Sequence, residues 1–243
     1  MSQLVLLRHG QSIWNRRKRF TGWTDVPLTA KGKRQASGAG RALRQIGFKP
    51  DVCFSSRLCR AVDSLSLVLR ELDAGGVTRR ADWRLNERHY GKLQGMTPTQ
   101  AVRAFGAGNV LGWQRQFSER PPSLDPGDDR HPSADARYAD VPASDLPVGE
   151  SVQDTLSRLL PFWEQELVPR LAQRQNILIV SHANTLRALI SHFEAVPPAG
   201  LPRILVPIAR PLLYEHDGLK VRGRRQAIRS SALQTLSRWL RPR

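Results

Sequence analysis

Hydrophobic residues along the chain form three short uninterrupted runs, and stretches with apolar positions at helical spacing lie between and after them. The runs predict buried strands over residues 4–7, 51–54 and 177–180. The spaced positions predict amphipathic helices over residues 29–46, 58–72, 152–167 and 186–193. Strand and helix signals therefore alternate, which predicts an α/β fold with three α/β/α layers and a central, mostly parallel sheet.

Turn-forming residues predict where three of these helices begin, end or bend. Gly47 is expected to close the first helix, because glycine readily adopts the left-handed conformation that ends many helices. Ser55 or Ser56 is expected to cap the start of the second helix. Pro161 predicts a bend in the helix over 152–167, since proline removes a backbone donor.

Both periodicities fade between about residues 86 and 149. The later part of this stretch is rich in proline, at positions 121, 122, 126, 132, 142 and 147. Long connections of this kind are often functional, so an ordered insertion or a mobile lid is expected. The predicted organisation is a catalytic domain over 1–219, with a lid insertion at about 92–149, and a basic C-terminal tail over 220–243.

Composition adds an attraction for anions. A chain of 243 residues with 40% hydrophobic content is long enough for one domain with a sizeable core. The net charge of +17 favours phosphates, nucleic acids and anionic membranes alike. Cys53 and Cys59 have neither metal-ligand nor disulfide spacing, which favours a reducing cytoplasm. A signal-peptide pattern and a membrane-length apolar run are both absent from the sequence.

Two histidines stand at the ends of predicted strands. His9 follows the first strand and His182 the third, and ligands of open α/β sheets gather beyond the carboxyl ends of the strands. A neutral imidazole is a competent nucleophile for a phosphoryl group. Arg8 and Arg60 are candidates to hold its oxygens, because arginine can bind two at once. Neutral donors are expected from Asn15, Thr21 and Asn184.

Five ordered segments, 6–15, 19–23, 55–61, 85–91 and 181–184, carry a resemblance to a known family. The first, Leu-Leu-Arg-His-Gly-Gln-Ser-Ile-Trp-Asn, resembles the Arg-His-Gly signature of the histidine phosphatase superfamily. The second and fourth, Arg-Phe-Thr-Gly-Trp and Leu-Asn-Glu-Arg-His-Tyr-Gly, are similar to the branch of 2,3-bisphosphoglycerate-dependent phosphoglycerate mutases. The similarity extends from about residue 3 to about residue 214.

The resemblance implies a role for each matching residue. His9 would accept the phosphoryl group, with Arg8, Arg60 and His182 around it, and Glu87 would be the general acid and base. Other substrate-binding residues would be Gly10, Ser12, Asn15, Thr21, Gly22, Arg88, His89, Tyr90, Arg115, Ala183 and Asn184. It also implies a small phosphorylated substrate, priming by 2,3-bisphosphoglycerate, no metal, and a homodimer.

The sequence departs from the mutases around the substrate, and the phosphohistidine motif is unchanged. Pro98 stands in place of a lysine, Gln114 in place of the first of two arginines, Ala183 in place of a glycine, and 207–209 in place of a Pro-Thr-Gly turn. Hydrogen bonds to charged groups contribute roughly 1.5–3 kcal/mol each, so two lost cations matter. Arg103 and Arg210 are candidate substitutes. A mutase is the first hypothesis, and a phosphatase acting on another phosphate ester is the alternative.

Other classes of function explain less. The tail over 220–243 carries eight basic residues and no acidic one, so it could contact an anionic surface or pack on its own domain. An anion-binding protein with an inactive site is disfavoured, because every phosphohistidine residue is present. A metal site lacks a third ligand at recognisable spacing, and a serine hydrolase lacks the Gly-x-Ser-x-Gly turn.

Overall fold

Within the described residues, 2–218 and 221–227, a six-stranded sheet forms the centre of the molecule. The computed structural model has the strands β1 Ser2–Arg8, β2 Val52–Ser55, β3 Thr78–Ala81, β4 Ile177–Ser181, β5 Leu212–His216 and β6 Val221–Ala227. Their order across the sheet is β3-β2-β4-β1-β5-β6. The first four in this order run parallel, whereas β5 pairs antiparallel with β1 and β6 antiparallel with β5. The predicted α/β class with a mostly parallel sheet is confirmed.

Helices cover both faces of the sheet. Their bounds are α1 Ile13–Arg16, α2 Ala30–Gln45, α3 Cys59–Leu72, α4 Pro98–Phe105, α5 Ala107–Arg115, α6 Val152–Phe162, α7 Val168–Ala172 and α8 Ala183–Phe193. Alternate residues of a strand point to opposite faces. Leu4 and Leu6 of β1 accordingly pack in one buried cluster with side chains of α6 and α8. Val5 and Leu7 pack in the other with side chains of α2 and α3, which produces the three layers.

Two of the three predicted helix boundaries agree with the structure. Gly47 follows the end of α2 with φ +73°, in the left-handed region that glycine favours. The helix predicted over 152–167 is interrupted after Pro161, where a π-helical turn, Trp163–Leu167, joins α6 to α7. The predicted serine cap of α3 is wrong, because the residue that precedes the helix is Leu58 and it makes no side-chain capping bond.

The proline-rich insertion packs against the domain. After α4 and α5 it continues through short 3₁₀ turns, Pro132–Ala134, Ala136–Tyr138 and Ala143–Asp145. Tyr138 is buried in a cluster with Trp23, Val141 and Leu146. These contacts describe an ordered insertion, and movement of it as a lid stays a prediction.

The sheet contains strands on both sides of the predicted boundary between residues 219 and 220. The structure places Val221–Ala227 in the sheet as β6, and the rest of the predicted tail, 228–243, lies outside the described residues. Among the described helices, none is both long and apolar enough to cross a membrane.

Candidate active site

The two predicted histidines lie side by side at the carboxyl end of the sheet. Strands β1 and β4 are parallel neighbours, with Arg8 opposite Ser181, so the residues that follow both strands emerge together. The His9 amide continues the ladder by donating to the Ser181 carbonyl at 3.0 Å. The His9 and His182 ring centroids are 4.9 Å apart, and the rings are inclined at 61°. The sheet therefore holds two imidazoles in contact, and only 3% and 0% of their surfaces are exposed.

His9 is held as a neutral imidazole with one free nitrogen. Its Nδ1 lies 2.6 Å from the Gly10 carbonyl oxygen. A carbonyl only accepts, so Nδ1 must carry the proton and Nε2 keeps its lone pair. Burial, followed by the positive charges of Arg60 and Arg8, holds the pKa of His9 well below its usual range. The side chain thus has the form that a nucleophile at neutral pH requires.

His182 is oriented by a serine. Its Nε2 lies 2.8 Å from the Ser56 hydroxyl, which itself accepts the Leu58 amide proton at 3.3 Å. Nδ1 of His182 is buried and has no hydrogen-bond partner among the described residues. Burial, followed by Arg60, also lowers the pKa of His182 well below its usual range. Ser56 was expected only as a helix cap, and its distance to His182 could not be obtained from sequence.

Two arginines place positive charge beside the histidines. Arg60 is 1% exposed and donates to the backbone carbonyls of Gly22 at 2.7 Å and Thr24 at 2.9 Å. Burial lowers the pKa of Arg60 to about 10, so it remains a cation at neutral pH. Arg8 donates to the Val206 carbonyl at 3.3 Å, and its Nε is buried without a partner among the described residues. The pair is positioned to attract an anion next to His9.

Glu87 is anchored at the start of α8. Its Oε1 accepts the backbone amides of Arg88 at 3.0 Å and Asn184 at 3.1 Å. The Asn184 side-chain amide in turn donates to the Tyr90 hydroxyl at 2.8 Å. Glu87 also contributes to the electrostatic environment of Arg8, and it is 8% exposed. A buried carboxylate near the imidazole–arginine cluster is a candidate proton donor and acceptor.

Arg88 adds a third buried guanidinium. Its Nη1 donates to the Trp113 carbonyl at 2.7 Å, and its Cζ lies 4.7 Å from the centre of the Tyr90 ring. Its Nε has no partner among the described residues, like Arg8 Nε and His182 Nδ1. Buried donors are nearly always paired, so unpaired ones around one site are where an anionic ligand would supply acceptors.

Two predicted glycines allow close backbone approach. A Cβ added to Gly10 would lie 2.2 Å from the Gly32 carbonyl oxygen at the start of α2. Gly22 has φ +53°, and a Cβ there would lie 2.1 Å from Oε1 of Gln94. Thr21 is buried, and its hydroxyl bonds to a backbone carbonyl of its own loop. These residues shape the loops that carry the carbonyls bound by Arg60.

Ser12, Asn15 and His89 are engaged in holding loops. The Ser12 hydroxyl accepts the Asn15 amide at 3.1 Å, and Asn15 Oδ1 accepts the Ser12 amide at 3.0 Å, which forms the capping box of α1. His89 Nδ1 accepts the Gly91 amide at 3.1 Å, and its ring packs against Trp23. Ser12 and His89 thus support loops, and direct contact of either with substrate stays a prediction.

Arg115 is the last residue of α5. It is exposed and lines a cavity of about 190 Å³ together with Gln114, Asn184, Arg187 and Leu201. Arg187 was missed from the sequence, although it stands three residues after Asn184 and therefore on the same side of α8. Its Nη1 donates to Asn184 Oδ1 at 2.6 Å. This cavity is the part of the site where Gln114 departs from the mutase pattern.

The remaining departures are in backbone-forming positions. Pro98 is the first residue of α4 and follows the capping Thr97, and Ala183 is the first residue of α8. Ala209 has φ +47°, in the region where glycine is favoured, and its amide donates to the Arg8 carbonyl at 3.0 Å. Arg103 and Arg210, the candidate substitute cations, are both exposed.

Residues able to bind metal do not cluster in the part of the chain that the structure describes. Within 2–218 and 221–227, no group of three or more His, Cys, Asp or Glu side chains is placed to hold a metal ion. The polar groups that converge on His9 are mainly cationic or neutral donors, which is a set suited to an anion.

Comparison with known proteins agrees with this site. The model of the histidine phosphatase superfamily (branch 1) matches residues 4–131 and 123–224. The chain belongs to the histidine phosphatase superfamily and is an enzyme of that class. It is 42% identical over 217 residues to the 2,3-bisphosphoglycerate-dependent phosphoglycerate mutases of two strains of Borreliella burgdorferi, covering 89% of this chain and 88% of each relative.

Solved structures show the same fold at lower sequence identity. A mycobacterial glucosyl-3-phosphoglycerate phosphatase, in complex with VO3, is 24% identical with a TM-score of 0.71, covering 94% of this chain and all of that one. Bacillus stearothermophilus YhfR is 24% identical with a TM-score of 0.69, and the match covers 91% of this chain and 95% of YhfR. These likenesses concern the fold alone.

Proposed function

We propose that the chain is a phosphoglycerate mutase of glycolysis and gluconeogenesis, which interconverts 3-phosphoglycerate and 2-phosphoglycerate through a phosphohistidine at His9. The observation that carries the proposal is the contact between two buried imidazoles flanked by Arg8 and Arg60, with Nε2 of His9 unprotonated. The 42% identity to mutases, over 89% of this chain and 88% of each relative, supports the choice of reaction.

In the proposed reaction the phosphoryl group moves in two displacements. Nε2 of His9 forms a bond to phosphorus while the bond from phosphorus to the ester oxygen breaks, and Glu87 donates a proton to the leaving oxygen. The acceptor hydroxyl then gives its proton to Glu87 as its oxygen takes the phosphoryl group from His9. Arg8 and Arg60 stabilise the charge on the transferred group throughout.

The site fits the proposed primer, 2,3-bisphosphoglycerate, in its donor set. Arg8 Nε, Arg88 Nε and His182 Nδ1 are buried without partners among the described residues, and phosphate oxygens would satisfy them. When bound, this molecule supplies the phosphoryl group that first loads His9. Arg115 and Arg187, which line the neighbouring cavity, would hold its other anionic groups.

A phosphatase acting on another ester is the second candidate, and the substrate cavity favours it. Gln114 places a neutral side chain where the mutases carry an arginine, and Pro98 leaves no side-chain cation at the start of α4. A poorly held acceptor lets water take the phosphoryl group from His9 instead.

The two candidates differ in product. We would incubate the protein with 3-phosphoglycerate, with and without 2,3-bisphosphoglycerate, and follow 2-phosphoglycerate and free phosphate. Primer-dependent isomerisation without phosphate release supports the mutase. Phosphate release from this or another ester, without isomerisation, supports the phosphatase and overturns the mutase.

The His9→Ala variant is expected to lose turnover entirely, because it removes the imidazole whose Nε2 would take the phosphoryl group. Acid-labile, alkali-stable incorporation of phosphate should be present in the native protein and absent from the variant. His192→Ala, which changes a histidine that packs on Trp163 far along α8, is the matched control and should retain activity. Substantial activity of His9→Ala would contradict the assignment.

We also propose, by analogy with the mutases, that the chain acts as a homodimer in the cytoplasm. Light scattering coupled to size-exclusion chromatography would test the first part, and a mass of one chain would contradict it.

A further inference from the structure

We infer that Arg158, paired with Glu150, is a positioning residue that holds the Glu87 loop in the geometry needed for proton transfer. This inference rests on the proposed function, since it concerns the acid–base role of Glu87. Arg158 lies on α6 and touches none of the residues assigned to the phosphoryl group.

Arg158 donates from both terminal nitrogens of its guanidinium to the backbone of one loop. Nη1 donates to the Arg84 carbonyl at 2.5 Å, and Nη2 donates to the carbonyls of Asn86 and Glu87, each at 3.0 Å. Its side chain is 8% exposed. Three backbone carbonyls, those of residues 84, 86 and 87, therefore converge on one planar cation.

Glu150 completes the arrangement from the other side. Its Oε1 accepts from Arg158 Nε at 2.6 Å and its Oε2 from Nη2 at 3.0 Å, with 3% of its side chain exposed. Oε2 also accepts the His89 amide at 2.7 Å, and the Glu150 amide donates to the His89 carbonyl at 2.8 Å. The ion pair thus binds the loop both before and after Glu87.

Other donors act on the same segment and leave it little freedom. Ser181 Oγ donates to the Leu85 carbonyl, Thr185 Oγ1 to that of Asn86, and Trp23 Nε1 to that of Glu87, each at 2.6 Å. Every carbonyl from residue 84 to residue 87 is consequently fixed by a side chain. Arg158 is the member that spans most of them, because it bonds to three of the four.

A positioning role predicts a selective defect. Misplacement of a catalytic group by about 1 Å lowers the reaction rate on the order of 10²-fold. Only the steps that use that group are slowed. Expulsion of 4-nitrophenolate needs little proton donation, whereas expulsion of phenolate needs more. A displaced Glu87 should therefore slow phosphorylation of His9 by phenyl phosphate far more than by 4-nitrophenyl phosphate.

The test is a rapid-quench measurement of phosphoenzyme formation from 4-nitrophenyl, 4-chlorophenyl and phenyl phosphate. Arg158→Lys keeps the charge beside Glu150 and loses the planar fork. We expect it to slow the phenyl phosphate step by about 10²-fold and to steepen the dependence on the leaving group. Glu150→Gln is the second variant, used if Arg158→Lys does not fold. It should steepen the dependence of the phosphorylation rate on the leaving group in the same way. Arg120→Lys, at an exposed ion pair with Asp154 near the start of the same helix, is the matched control.

A double-mutant cycle identifies the target of the effect. In a Glu87→Gln background, Arg158→Lys should add no further steepening, because the group that it positions is already absent. An equal slowing with all three esters, or full additivity with Glu87→Gln, overturns the positioning role. Absence of any phosphoenzyme in the native protein instead overturns the proposed function itself, and the inference with it.

Discussion

His89 is an imidazole that the fold keeps uncharged, and its burial has a consequence for stability in acid. Burial, followed by the charge of Arg158, lowers the pKa of His89 to about 3. An unfolded chain binds a proton at this residue below about pH 6.5, whereas the native protein does not until about pH 3. The free energy of unfolding must therefore fall with decreasing pH across this window, by up to about 1.4 kcal/mol per pH unit.

The variant His89→Asn is expected to flatten this dependence, because asparagine can accept the Gly91 amide without titrating. Urea unfolding between pH 4.5 and 7.5 gives the free energy of unfolding at each pH. Its slope against pH should be smaller in the variant than in the native protein, by the equivalent of up to about one bound proton. Some slope will remain, since His9 and His182 shift in the same direction. Curves of variant and native protein should run parallel above pH 7, and parallel curves in the acid range would contradict the prediction.

The side chains that carry chemistry were more predictable than those that hold them. His9, His182, Arg8, Arg60 and Glu87 stand in local motifs, and the ends of predicted strands brought the two histidines together. The contacts of Ser56 with His182, and of Arg158 with the Glu87 loop, join residues 126 and 71 positions apart. Such contacts depend on how helices pack against loops, and no local pattern in the chain encodes that.

Glycines in α2 set how closely this helix packs against α3. A Cβ on Gly40 would lie 2.7 Å from Glu71 Cβ and 2.8 Å from the Val68 carbonyl oxygen. A Cβ on Gly38 in the same helix would meet only the end of the Arg41 side chain, at 3.9 Å. Replacement of each glycine by alanine should thus have opposite effects on the stability of the fold.

Gly40→Ala is expected to destabilise the fold by about 1–3 kcal/mol, because overpacking forces the helices apart. Gly38→Ala should stabilise it by roughly 0.5–1 kcal/mol, since alanine is the better helix former. Thermal and urea unfolding of the two variants would check both signs. Equal effects would mean that the interface between the helices yields to an added methyl group.

Among the elements, those with a strong period were predicted and the others were not. The strands β1, β2 and β4 follow from short apolar runs, because they are buried on both faces. The helices α2, α3, α6 and α8 follow from apolar spacing, because each buries one face. β3, β5 and β6 were missed. β3, Thr78–Ala81, is an exposed edge strand and β6 is basic, so neither shows apolar alternation. β5, Leu212–His216, is only five residues long and includes the exposed Glu215, so it forms no uninterrupted apolar run. The short turns of the insertion lack any period, since prolines and the capping side chains of His131 and Asp135 define them.

The net charge of +17 should act on association of the chain with its substrates. Positive potential accelerates the encounter with anions. Salt limits the range of this potential to about 30 Å at 0.01 M and to about 8 Å at 0.15 M. The value of kcat/KM for 2,3-bisphosphoglycerate as phosphoryl donor is therefore expected to fall by about 10-fold or more over this range of KCl.

The less charged 4-nitrophenyl phosphate serves as the comparison and should lose less. Stopped-flow measurements at several KCl concentrations would give the slope of log kcat/KM against log salt concentration for each donor. Equal slopes for the two donors would mean that the excess charge is spread too evenly to act at the site.

The adjacency of β1 and β4 makes the separation of the histidines a property of the sheet. Neighbouring strands lie about 4.8 Å apart in any sheet, and the two rings, one residue past the paired Arg8 and Ser181, are 4.9 Å apart. The reactive spacing is thus inherited from backbone hydrogen bonding, and the loops that contact substrate do not set it. Evolution can exchange those loops, and with them the ester that is recognised, without retuning the phosphoryl chemistry. That independence accounts for how one scaffold accommodates Gln114 and Pro98 while its pair of histidines stays intact.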